Sequence, residues 1–166
     1  MSIIWQNRVV NSLAPKQVFV FGSNATGFHG AGSAGLACRG DHRNNWRTDQ
    51  WFLDAMACRN DRIGHWAMFG VARGIQSGRC GSSYAIQTVV KPGMKRSISR
   101  REIYAQLIEL WQWLAANPDW EAIITPIGEG YAGYDAAEMS VVWEYLVEKH
   151  GTRRVTFCRP STHNLT

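Results

Sequence analysis

The chain alternates short β-branched and aromatic runs with longer stretches of helical periodicity. Residues 16–22 (KQVFVFG) are an apolar run ending at glycine, the pattern of a strand buried on both faces. Residues 31–39 are small and helix-compatible. Residues 66–69 and 83–90 (SYAIQTVV) predict further strands, and Lys91-Pro92-Gly93 breaks the chain after them. Ser99 and Glu102 have capping-box spacing, and Ile103, Leu107, Leu110, Trp111 and Leu114 recur at the helical period. They predict a helix over 99–116, stopped by Asn117-Pro118. Residues 120–127 read as a strand running into Gly128-Glu129-Gly130. Asp135 and Glu138 open a second capped helix over 135–150, with Met139, Val142, Trp143 and Leu146 facing inward. Residues 153–158 form the last predicted strand. Residues 40–65 are polar and basic, with a helix plausible near 49–58.

Strands alternating with helices predict a single α/β domain over residues 1–158, with a loose tail over 159–166. Its sheet should be mixed or largely parallel and covered on both faces.

Composition narrows the class. Of the 166 residues 45% are hydrophobic and 19% charged, a balance that excludes wholesale disorder. No apolar run exceeds four residues, whereas a membrane-spanning helix needs about 20 and a signal-peptide core about 7–15. A soluble, cytoplasmic protein is expected. Cys38, Cys58, Cys80 and Cys158 lie too far apart for a zinc knuckle or CxxC pair, so four reduced thiols and no metal are expected. The net charge is +5, unevenly spread. Residues 1–101 carry 14 Lys and Arg against 4 Asp and Glu, and residues 102–166 carry 4 against 9. The positive part should attract a polyanion, either nucleic acid or a small ligand with several phosphates.

The candidate chemistry lies in two glycine-rich loops. The first, FGSNATGFHGAGSAG over 21–35, follows a strand and opens a helix. Gly30, Gly32 and Gly35 spell GxGxxG, but seven residues separate Gly22 from Gly30 and no acid ends a following strand, so a dinucleotide dehydrogenase is disfavoured. No GxxxxGK[ST] is present. Glycine backbone and a helix N-terminus near Gly30, Ala31 and Gly32 still suit an anion. Asn24 can hold a sugar hydroxyl or close an Asx-turn on its own backbone. The second loop, Gly128-Glu129-Gly130-Tyr131-Ala132-Gly133-Tyr134, again joins a strand to a helix. Two such loops could hold two phosphates.

Together the loops resemble the macrodomain fold, a three-layer α/β/α architecture. A closer resemblance is to a macrodomain-like group from phages and bacterial genomes sharing FGSNxxGxHGAG, GxARGxQxGRxGxSYAI and IGxGxAGY. This chain reads FGSNATGFHGAG (21–32), GVARGIQSGRCGSSYAI (70–86) and IGEGYAGY (127–134). The resemblance implies binding of ADP-ribose or a related NAD-derived nucleotide, with the diphosphate across both loops and the distal ribose near Asn24. Gly22, Ser23, Asn24, Gly30, Ala31, Gly32 and the second loop from Gly128 to Tyr134 would line the site. No further cofactor is implied.

Some macrodomains hydrolyse ADP-ribosyl linkages and others only bind. A hydrolase here would use Asn24 to orient the ribose and His29 or Glu129 as base to a water. The chain departs from better-known hydrolase patterns: residues 28–32 hold no aspartate, and Ala132 stands where another type has an acid. A non-catalytic, sequestering binder needs the loops alone. Nucleic acid is the third reading, because Arg39, Arg43, Arg47, Arg59 and Arg62 interleave with Trp46, Trp51 and Phe52. Arg73, Arg79 and Lys91 surround the glycines of residues 70–81, which read as a mobile loop over the site.

Overall fold

The computed structural model describes residues 3–27, 32–39 and 63–159. Six strands form one sheet: β1 (Trp5–Gln6), β2 (Gln17–Asn24), β3 (Gly74–Ser77), β4 (Ser82–Val89), β5 (Glu121–Ile124) and β6 (Val155–Cys158). Their order is β1-β6-β5-β2-β4-β3, parallel throughout except for the antiparallel β3–β4 pair. Three described α-helices accompany it, α1 (Gly32–Arg39), α2 (Arg100–Ala116) and α3 (Ala136–His150).

Alternation along β2 divides the core into two layers. Val18 and Val20 face α2 and α3, joining Ile103, Leu107, Leu110, Met139, Trp143 and Leu146. Phe19 and Phe21 face the other way, onto Ala34, Leu36 and Ala37 of α1 and onto Trp66. Both faces of β2 are dry, which is why its sequence is a continuous apolar run. The result is the three-layer arrangement of helices on a mixed, largely parallel sheet.

The helix signals hold. The Ser99 side chain accepts from the Glu102 N–H, and Asp135 and Glu138 complete a reciprocal capping box. One inward residue of α2 is polar. Gln106 is buried and brackets the backbone of Gln87, accepting from its N–H at 2.7 Å and donating to its carbonyl at 2.9 Å. The β3–β4 pairing ends at Gly74 and Ala85, so beyond it Gln106 takes the place of a neighbouring strand.

Four expectations are corrected. Residues 66–69 are not a strand. Trp66 and Ala67 are core residues, but their N–H groups, with that of His65, donate to the Ala37 and Cys38 carbonyls at the end of α1. Residues 70–81 are not a loop over the site, since they contain β3 and its tight return to β4. Cys38 is disulfide-bonded, while Cys80 and Cys158 are free. Arg159 is tied in rather than part of a tail, its N–H donating to the Gln6 carbonyl at 2.9 Å. That bond continues the β1–β6 pairing, an edge too short to show in the sequence pattern.

No described helix is long and apolar enough to cross a membrane.

Candidate functional site

Neighbouring strands β2 and β5 send their chains to opposite faces. The chain after β2 enters α1, on the Phe19 and Phe21 side. The chain after β5 enters α3, on the Val18 and Val20 side. A crevice opens at the carboxyl ends of two strands that part in this way, and it is the usual ligand site of an α/β sheet. Both glycine loops begin there.

The first loop starts at a bulge. Ser23 pairs with Gln87 and Asn24 with Val89, leaving Thr88 as the extra residue. The Thr88 side chain packs against Gly22, where an added Cβ would sit 3.3 Å from it, and its hydroxyl donates to the Ser23 carbonyl at 3.4 Å. Ser23 and Asn24 are buried. Asn24 Oδ1 accepts from the Thr26 N–H at 3.0 Å and from the Thr26 hydroxyl, and the Asn24 carbonyl accepts from Gly27 N–H at 3.1 Å. Its side-chain oxygen therefore closes the Asx-turn. Gly27 then meets Gly70 backbone to backbone. His29, Gly30 and Ala31 lie outside the described residues. Gly32 is the first residue of α1.

The second loop is a 3₁₀ turn, Gly130–Ala132, entered through Gly128 and left through Gly133. Gly128 has φ +85°, and a Cβ there would stand 2.6 Å from Met139 Sδ. Gly130 has φ +63° and is exposed, with nothing within 4 Å of its Cβ direction. Tyr131 is exposed. Tyr134 is buried, its hydroxyl donating to the Ile98 carbonyl at 2.7 Å, so it serves packing. The second loop leads into the N-terminus of α3. That end is already filled by the Asp135 and Glu138 carboxylates, with Glu138 also gripped by Arg96 at 2.6 and 2.7 Å.

Glu129 is paired across strands. Its carboxylate receives both arms of the Arg159 guanidinium, at 2.7 and 2.8 Å. Arg159 follows β6, on the far side of β5 from β2. Its guanidinium also lies 4.6 Å from the centroid of the Trp5 ring.

A further segment, residues 91–98, braces the second loop. The Arg96 N–H donates to the Ala132 carbonyl at 2.7 Å, and Lys95 Cβ lies 2.8 Å from where a Gly133 Cβ would stand. Arg96 caps the Tyr134 ring at 5.0 Å. Sequence reasoning missed Arg96, Arg159 and the Thr88 bulge, all of which act across long sequence separations. Arg73 is paired with Glu109 at 2.6 Å and lies 3.5 Å from Glu102. The basic, tryptophan-containing stretch of residues 40–62 is outside the described residues. Among the described residues no cluster of three His, Cys, Asp or Glu side chains could hold a metal ion.

The macrodomain of Mycobacterium tuberculosis DarG is similar across 97% of this chain and 100% of its own length, with a TM-score of 0.58 at 16% identity. The macrodomain of Thermus aquaticus DarG aligns over 89% of this chain and 91% of its own, at 17% identity and a TM-score of 0.49. No family model matches the sequence. No curated protein matches it. The chain has the macrodomain fold.

Proposed function

We propose that the chain binds ADP-ribose or a related NAD-derived nucleotide in the crevice between the β2 and β5 loops. The observation that carries this is the parting of the chain at β2 and β5. The two glycine-rich loops follow parallel neighbouring strands, and this supports a diphosphate lying across both. The fold shared with the DarG macrodomain supports the choice of nucleotide.

The reading is one of binding; of the two candidate bases for a hydrolytic step, His29 lies outside the described residues. The Glu129 carboxylate is held by the Arg159 guanidinium, a pairing that favours a structural role over that of a base. Buried Asn24 sets the shape of the first loop and brings its side chain to the crevice edge, where a ribose hydroxyl could share its amide.

Calorimetric titration with ADP-ribose tests the proposal, with AMP and NAD as controls, on wild type and Gly32→Glu. The substitution sets bulk and negative charge at the start of α1. Binding by wild type that the variant loses is expected. No binding of any of the three nucleotides overturns the proposal.

A further inference from the structure

Glu129 is the one acidic side chain in residues 125–134, and it stands in the loop proposed to meet a diphosphate. An unopposed carboxylate there would repel the ligand. We propose that Arg159 is a positioning residue that makes this loop an anion site, neutralising Glu129 and holding its carboxylate toward β6. The inference rests on the nucleotide reading and adds a residue from another strand to it.

The geometry fixes Arg159 on three sides. Its two guanidinium arms meet the two Glu129 oxygens, its flat face lies over Trp5, and its N–H donates to Gln6. Trp5 is itself wedged edge-on against Trp143 and Phe157, at 6.0 and 5.1 Å between ring centroids. The Glu129 side chain is 16% exposed and that of Arg159 36%, so solvent screens the pair less than it would two free surface charges. Only a planar fork can both stack and bind in this way, and a lysine would keep the charge and lose the geometry.

The test titrates ADP-ribose, and separately inorganic pyrophosphate, into wild type, Glu129→Gln, Arg159→Gln and the double variant. Melting temperatures are read in parallel. Arg159→Gln should weaken both ligands on the order of tenfold, because it uncovers the carboxylate. Glu129→Gln should bind as tightly or more tightly, because it leaves a positive guanidinium beside the loop. The double variant should recover the affinity that Arg159→Gln loses. Both single variants break the same fork and should melt lower, so the opposite signs in affinity separate charge from structure. Arg159→Lys, expected between wild type and Arg159→Gln, covers the case in which the glutamine variant does not fold.

Equal losses in both single variants would overturn the proposal, making the pair purely structural. A double variant as weak as Arg159→Gln would overturn it too, placing Arg159 directly on the ligand. If wild type binds pyrophosphate but not ADP-ribose, the nucleotide reading fails while the pyrophosphate series still decides this one. Binding of neither overturns both.

Discussion

The Gly70 N–H donates to the Gly27 carbonyl at 3.1 Å, joining the end of the first glycine loop to the segment that leads into β3. Two sequence motifs over forty residues apart are thereby one structural unit. A Cβ on Gly27 would stand 2.5 Å from the Gly70 carbonyl carbon, and Gly27 has φ +71°. Gly27→Ala should therefore destabilise the fold by about 2–4 kcal/mol, from backbone strain and overlap together. Urea denaturation measures this, and an unchanged midpoint would show that the contact is not required.

The second loop allows binding to be separated from stability. Gly128→Ala drives a methyl into Met139 and should lower the melting temperature by several degrees. Gly130→Ala meets no protein atom, so its stability cost should be only the left-handed backbone term, roughly 1 kcal/mol. If an anion sits on the 3₁₀ turn, Gly130→Ala should nevertheless weaken ADP-ribose at least tenfold, as calorimetry would read.

Gln106→Leu keeps the volume and removes the amide that brackets Gln87. Two backbone groups at the sheet's edge then lose their partner, and a loss of about 2–4 kcal/mol is expected. Hydrogen exchange at Gln87 should accelerate in the variant, whereas Glu102→Gln, which leaves the bracket intact, should not change it.

Acid should loosen the brace on the second loop. The Arg96 fork, helped by the Asp135 backbone, holds the Glu138 carboxyl down at about 2 against its ordinary 4.5. A lowered folded-state value contributes stability above pH 4.5 that is lost as pH falls toward 2. Glu138→Gln should flatten that part of the melting-temperature curve while shifting it downward at neutral pH. A parallel curve would show that another group carries the acid transition.

Much of the architecture was legible because its signals are local. The apolar run of β2, the capping residues Ser99 and Asp135, and the 3.6-residue spacing of Leu107, Leu110 and Leu114 each report on neighbours within a turn or a strand. Trp66 misled for the same reason: it is as apolar as a strand residue and fully buried, yet its backbone serves the end of α1. The two loops were visible as glycine patterns. What the patterns could not show was that Glu129 is turned to Arg159, or that Arg96 from another loop braces Ala132. The first depends on strand order, which brings β6 beside β5, and the second joins the segment after β4 to the loop after β5; no local spacing encodes either.

The central claim is the location of the ligand, and amide chemical-shift mapping with ADP-ribose tests it most directly. The account predicts the largest shifts at Asn24, Gly32 and residues 129–131, with α2 and the outer face of α3 unmoved. Shifts confined to the α2 and α3 surface, or none at saturating nucleotide, would contradict it.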